Sequence, residues 1–273
     1  MTKAPPAWTS LRLFTSAGLL SLVCGVCAYS QSARPAETPN PSLFQLQHTS
    51  WTEREGAPPQ INDIAQAPDG SLWLGSGEGL YRFDGFTFER VPSIDGNSTA
   101  PTEIVCLQAT SNGDLWIGTR LNGVILLRNG DVRRFPKFEG LPLNTTVLSL
   151  KDDLDGTIWA GTASGLQRFD GSQFRNIGKA WGVPEMAQVL LQLESDGTLW
   201  ADTYEHGLFR LKRGSQHFER LAGIDKFFRS RFFDQSPSGE IWVGTNSGIC
   251  PFAEAQKSTH CRHWALHNRG SAP

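Results

Sequence analysis

The chain has 273 residues, 39% of them hydrophobic and 19% charged, with a formal net charge of −2. That length holds one large domain or two small ones, and the apolar content argues against disorder along the whole chain. With acidic and basic residues nearly balanced and no basic tract, nucleic acid is not an expected partner.

Lys3 and Arg12 precede the uncharged run LFTSAGLLSLVCGVCA, which ends with Val26 and Ala28 at the minus-three and minus-one positions of a cleavage site. A basic start, an apolar middle and a small-residue exit predict a secretory signal peptide over residues 1–28. An uncleaved signal anchor shares this pattern. A lipoprotein fits less well, because Ser21-Leu22-Val23 before Cys24 lacks the usual small residues. The run is shorter than the roughly 20 apolar residues that span a bilayer, and no later segment is apolar enough to cross one. The expected location is periplasmic or secreted, with no membrane span after signal removal.

Residues 29–42, YSQSARPAETPNPS, are rich in Pro and Ser and read as a flexible linker. A folded domain is expected over 43–266, with a disordered tail at 267–273.

Within that domain one phrase returns five times. Trp73, Trp116, Trp159, Trp200 and Trp242 stand 43, 43, 41 and 42 residues apart, inside DGSLWLGSGEGLYRFDG, NGDLWIGTRLNGVILLRNG, DGTIWAGTASGLQRFDG, DGTLWADTYEHGLFRLKRG and SGEIWVGTNSGICPF. A period of about 40–45 residues with an aromatic signature points to propeller blades or another repeat array. Turn chemistry separates the two. Each unit has two Gly-bearing hairpin signals, such as Asp155-Gly156 and Asp170-Gly171, with a third turn at Thr162-Ala163-Ser164-Gly165 between them. Three turns cut a unit into four short strands, in the third unit near 145–151, 157–162, 165–169 and 172–177. Two helices per repeat would not tolerate this glycine spacing. The fold class is all-β: a β-propeller of four-stranded antiparallel blades, five of them recognisable, either closing a small ring or belonging to a larger one. A lone sheet cannot hide two apolar faces, so stacking each blade on the next gives the five tryptophans a structural role.

LFQLQHTSW at 43–51 reads as an outermost strand without its own inner three, able to complete the final blade, whose own fourth strand near 260–266 is poorly marked. Pro251 removes a ladder donor from the fifth unit and predicts an edge or a distorted blade there. The fourth unit has Asp202 where the others have Gly75, Gly118, Gly161 and Gly244. Cys250 and Cys261 could pair in an oxidising compartment, the alternative being three free thiols; Cys106, in an apolar run, reads as a buried thiol. There is no CxxC pair, and neither a metal nor a cofactor is expected.

The strings LWLGSGEGLYRFDG and IWAGTASGLQRFDG resemble the two-component regulator propeller repeat, which implies an exported input module of hybrid sensor histidine kinases and related bacterial receptors. Departures from the repeat are Asp202, the Arg128-Asn129-Gly130 turn of the second unit and Pro251. The resemblance also implies further repeats, a β-sandwich, a membrane span and an output domain, whose motifs are not found in this chain.

Binding residues concentrate on variable loops of a rigid scaffold. First and third turns are terse hairpins; second turns and inter-blade connections, at the other end of each blade, carry the variation. The candidate ligand-binding residues are therefore Glu78, Arg120, Asn122, Tyr204, Glu205, His206 and Asn246 on second turns, and Trp181 on a connection, able either to stack on a ligand or to pack on a blade. Tyr204-Glu205-His206 is the densest polar cluster, though one His and one Glu make a poor metal or acid/base set. Arg82, Arg168 and Arg210 recur at one repeat position and suggest structural contacts. The expected function is a binding module without catalytic or kinase activity, whose partner is a small molecule, a glycan or a membrane sensor protein. The alternatives are a propeller lyase acting at the central channel and an inactive sensor fragment.

Overall fold

Every repeat tryptophan lies on the second strand of an antiparallel sheet. The computed structural model describes residues 49–96, 101–138, 141–203, 206–221, 233–236, 240–245 and 248–255. The chain divides into two units, Met1–Thr49 and Ser50–Pro273, and all five sheets belong to the second. The expected signal peptide, linker, strand at 43–48, strand at 260–266 and terminal tail lie outside the described residues.

The first sheet comprises β1 (Ile61–Gln66), β2 (Leu72–Ser76), β3 (Gly79–Phe83) and β4 (Phe88–Arg90); the second β5 (Ile104–Ala109), β6 (Leu115–Thr119), β7 (Val124–Arg128) and β8 (Asp131–Phe135). The third comprises β9 (Val147–Asp152), β10 (Ile158–Thr162), β11 (Gly165–Phe169) and β12 (Phe174–Asn176); the fourth β13 (Val189–Leu193), β14 (Leu199–Thr203), β15 (Gly207–Leu211) and β16 (Glu219–Arg220). The fifth has β17 (Phe233–Gln235), β18 (Ile241–Thr245) and β19 (Gly248–Pro251), followed by the short helix α1 (Phe252–Ala255). In each sheet the strands pair in sequence order. These are the blades of a β-propeller, an all-β fold.

Hairpin chemistry sets the reversals. Asn129 and Gly130 both take positive φ (51° and 87°) in the two-residue loop joining β7 to β8, where Arg128 pairs Asp131. That is the left-handed geometry Asn-Gly supplies at low cost. A bulge interrupts the innermost strand of the first three sheets, between Ile61 and Asp63, Ile104 and Cys106, and opposite Gly161 and Thr162. The fourth sheet runs without one, Val189 against Thr203 and Leu190 against Asp202. Losing the bulge residue accounts for part of the shorter Trp159–Trp200 interval.

The core lies between sheets. Trp116 packs with Val147, Leu150 and Phe174 of the third sheet, Trp159 with Val189, Leu191 and Phe218 of the fourth, and Trp200 with Val243 and Cys250 of the fifth. Trp73 is partly buried against the second sheet, and Trp242 is half-buried. The first four indoles thus each cover the following blade. Two residues on, a glycine admits the next innermost strand: a Cβ at Gly75 would lie 2.5 Å from Ile104 Cγ2, and one at Gly161 2.5 Å from the Val189 carbonyl oxygen. Polar bridges reinforce these seams. Asn62 Nδ2 donates to the Ile104 carbonyl (2.7 Å), the Leu107 N–H to Asp63 Oδ2 (2.8 Å) and the Leu191 N–H to Ser149 Oγ (2.9 Å).

In the fifth sheet Pro251 pairs Trp242 at the end of β19, and the chain turns into α1 where the other sheets run on toward a fourth strand. Cys106 is a buried free thiol whose pKa burial pushes up. Cys250 is buried and disulfide-bonded; Cys261 lies outside the described residues.

Candidate functional site

Strand direction gives each blade two ends. The first and third turns, including Asp153–Thr157 and Asp170–Gln173, share one end; second turns and inter-blade connections share the other.

At the second-turn end a buried hydroxyl holds the reversal in the first four blades. Ser76 Oγ, Thr119 Oγ1, Thr162 Oγ1 and Thr203 Oγ1 donate to the carbonyls of Gly79, Gly123, Gly165 and Gly207 at 3.1, 2.8, 2.8 and 2.6 Å. The first three also accept the N–H of Glu78, Asn122 and Ser164 at 3.1, 2.9 and 3.1 Å. The clasp presents Glu78, Asn122 and His206, all exposed, on equivalent turns of the first, second and fourth blades. Arg120 is committed elsewhere: its guanidinium pairs with Glu103 at 2.6 Å, and its carbonyl accepts from Thr146 Oγ1 at 2.9 Å. Tyr204, Glu205 and Asn246 lie outside the described residues. The clasping hydroxyl is written in the sequence as the residue after the repeated glycine, or after Asp202 in the fourth unit, a signal whose role the motif alone did not disclose.

Trp181 occupies a 3₁₀ turn, Lys179–Trp181, on the connection into the fourth blade. Its carbonyl accepts the Phe218 N–H (2.7 Å), and its ring meets Trp159 edge-on at 5.7 Å. The Arg168 guanidinium lies 5.7 Å from the Trp159 ring and 5.9 Å from that of Trp181. Arg82 and Arg210 each stand 5.9 Å from the tryptophan of their own blade, Trp73 and Trp200. The recurring arginine is thus a cation–π partner of the recurring indole. Indole N–H groups are held from the other side, Trp159 Nε1 by Asp153 Oδ2 (2.8 Å) and Trp200 Nε1 by Glu194 Oε1 (2.7 Å).

Two cavities open at the Asp-Gly end, where sequence reasoning placed little recognition material. The larger, about 520 Å³ between the second and third blades, is lined by Asp114, Trp116, Arg128, Asp152, Phe169 and Asp170 among others. Arg128 grips Asp114 through two nitrogens (2.7 and 2.5 Å), and these bonds hold the Asp114 carboxyl below its usual range. Asp152 contrasts with it: burial raises its pKa, aided by the charges of Asp153 and Asp114, and its buried Oδ1 has no hydrogen-bond partner. A smaller cavity of about 170 Å³ lies between the third and fourth blades, with Trp181 and the Asp155–Arg213 ion pair (2.7 Å) in its wall. An aromatic floor beside carboxylates and a fixed arginine suits a small polar ligand.

The family model described as two component regulator propeller matches residues 100–120, from the approach to β5 through the Trp116 strand. That segment is similar to the two component regulator propeller repeat. Of solved structures, this propeller is similar to the extracellular domains of two hybrid two component systems from B. thetaiotaomicron. They are 21% and 22% identical, with TM-scores of 0.59 and 0.56 over 75% and 70% of the chain. The chain spans only 30% and 27% of those domains. Virginiamycin B lyase from Staphylococcus aureus is similar too, 15% identical with a TM-score of 0.54 over 71% of this chain and 69% of its own. At these identities the likeness is one of fold. No curated protein sequence matches the chain. Among the described residues no helix is long and apolar enough to cross a membrane, and no group of three or more His, Cys, Asp or Glu could hold a metal ion.

Proposed function

We propose that this propeller is an exported recognition module of a bacterial sensory system that binds a small molecule or glycan, or docks a membrane sensor protein, without catalysing a reaction. The observation that carries the reading is the cavity of about 520 Å³ between the second and third blades, where the Asp152 carboxylate holds unused acceptor capacity beside Trp116 and Arg128. A ligand offering hydroxyl or amine donors can pair with the carboxylates lining the cavity, and the aromatic wall supplies contact area. The exposed second-turn side chains Glu78, Asn122 and His206 form the surface for a protein partner. The likeness to extracellular domains of hybrid two component systems supports the reading at the level of fold.

The test is a thermal-shift survey of the full chain against small polar metabolites and oligosaccharides, followed by calorimetry. A ligand at 100 times its Kd stabilises the folded state by about 2.7 kcal/mol, and Asp152→Asn should weaken it at least tenfold while leaving the unliganded melting temperature within a few degrees. Binding unaffected by Asp152→Asn removes the cavity from the reading. Chemical conversion of any bound compound would replace it with the enzyme alternative.

A further inference from the structure

The first and fifth sheets expose positions that are buried wherever they are described in the seams between the sheets. On the face each sheet turns to the preceding blade, Ile104, Val147 and Val189 are 0% exposed, whereas their first-sheet counterpart Ile61 is 41% exposed. Leu107, Leu150 and Leu191 are buried at the next such position, whereas Ile64 is 52% exposed. At the other end the pattern mirrors this. On the face turned to the following blade, Leu80, Val124, Leu166 and Leu208 are 0% exposed, and Ile249 of the fifth sheet is 47% exposed. Patches of this kind mark interaction surfaces.

The two open faces are the two halves of one seam. Phe135, at the end of β8, meets Phe169 edge-on at 5.2 Å and Phe174 at 5.7 Å, and it carries the Trp116 ring stacked at 5.8 Å and 21°. Trp51 repeats the first two contacts on the first sheet, with Phe83 at 5.0 Å and Phe88 at 6.4 Å. It occupies the place of a preceding blade's last outer residue, and among the described residues its ring contacts are these two phenylalanines. The place of the stacked indole beside it corresponds to Trp242 of a fifth sheet.

We infer that the first sheet, with Trp51, is the receiving face for the fifth sheet of a second copy of this chain, so that copies associate head to tail. Ile61 and Ile64 remain open while Ile249 of the same chain is also open, so among the described residues the first and fifth sheets do not cover one another. A second copy supplies the matching half: its Trp242 stacks on Trp51, and its Ile249 comes against Ile61 and Ile64. Such an interface is heterologous, with each copy using two different faces. The inference is independent of what the module binds.

Sedimentation velocity of the full chain across about 1–100 µM, the range in which modest interfaces populate, tests it. Wild-type protein should pass from monomer to dimer and higher species, and Ile64→Glu and Ile249→Glu should each sediment as monomers with unchanged circular dichroism. Mixing the two variants should restore a 1:1 dimer that grows no further, because Ile64→Glu keeps a sound fifth sheet and Ile249→Glu a sound first sheet. A wild-type chain that stays monomeric throughout overturns the inference in favour of closure within one chain. Wild-type association without recovery in the mixture overturns it in favour of a different interface. Should either variant misfold, bismaleimide cross-linking of Ile64→Cys to Ile249→Cys in mixed samples decides: a covalent dimer supports the inference, and its absence overturns it.

Discussion

Trp51 meets Phe83 with ring centroids 5.0 Å apart and planes at 72°, the relationship Phe135 has to Phe169 at 5.2 Å and 74°. One residue lies before the first repeat and the other closes the second blade, yet they do the same job. The outer edge of the first blade receives an aromatic cover from outside the repeat register, because a sheet cannot leave both apolar faces in water.

Replacing Trp51 with Ala should therefore destabilise the chain even though no repeat is touched. The ring is 40% exposed, so a loss of about 1–3 kcal/mol is expected in urea unfolding. Trp51→Phe should recover most of it.

Trp159 is only 3% exposed, and Trp159→Ala should cost about 3–5 kcal/mol. Trp159→Phe keeps an aromatic face but loses the indole N–H that Asp153 accepts, at about 1–2 kcal/mol. In a double-mutant cycle with Arg168→Met, a coupling of roughly 0.5–2 kcal/mol should appear. A coupling near zero would show that the stacked guanidinium contributes nothing.

The two kinds of glycine should respond differently to alanine. Gly156 has φ +76° with open space where a methyl would stand, so Gly156→Ala meets backbone strain alone, about 1 kcal/mol. At Gly161 a Cβ would lie 2.5 Å from the Val189 carbonyl oxygen of the next blade. The seam must open, and Gly161→Ala should cost about 3 kcal/mol. Equal melting temperatures for the two variants contradict this account.

Asp202 stands at the same repeat position as Gly161, 8% exposed, with its buried Oδ1 unpartnered. Burial pushes its pKa up to about 7. The unfolded chain releases this proton near pH 4 and the folded chain near pH 7, so the folded state binds more protons between them and stability falls as pH rises through that window. Asp202→Asn should be as stable as wild type near pH 4 and more stable at pH 8, by a few kcal/mol at about 1.4 kcal/mol per pH unit. Denaturation midpoints at the two pH values measure the difference; a gap that does not widen with pH refutes the assignment.

The sequence alone determined the fold class. Glycine-bearing turns and an indole every 41–43 residues leave one economical way to bury a four-stranded unit, and the third-blade strands lie within two residues of the positions read from the pattern. It also pointed to the recurring arginine as structural, because a role repeated in several blades belongs to the scaffold. Tertiary structure decided the rest. The sequence favoured packing on a blade for Trp181 over stacking on a ligand, and only the fold identifies Trp159 as the ring it meets edge-on. Asp114, Asp152 and Phe169 come from two blades, and only the stacking of sheets gathers them around one cavity. The exposure of Ile61, Ile64 and Ile249 was equally illegible, since their counterparts share the same residue type and the same local pattern. A repeat specifies what each strand offers its neighbour; whether a neighbour is present is a property of the assembled chain.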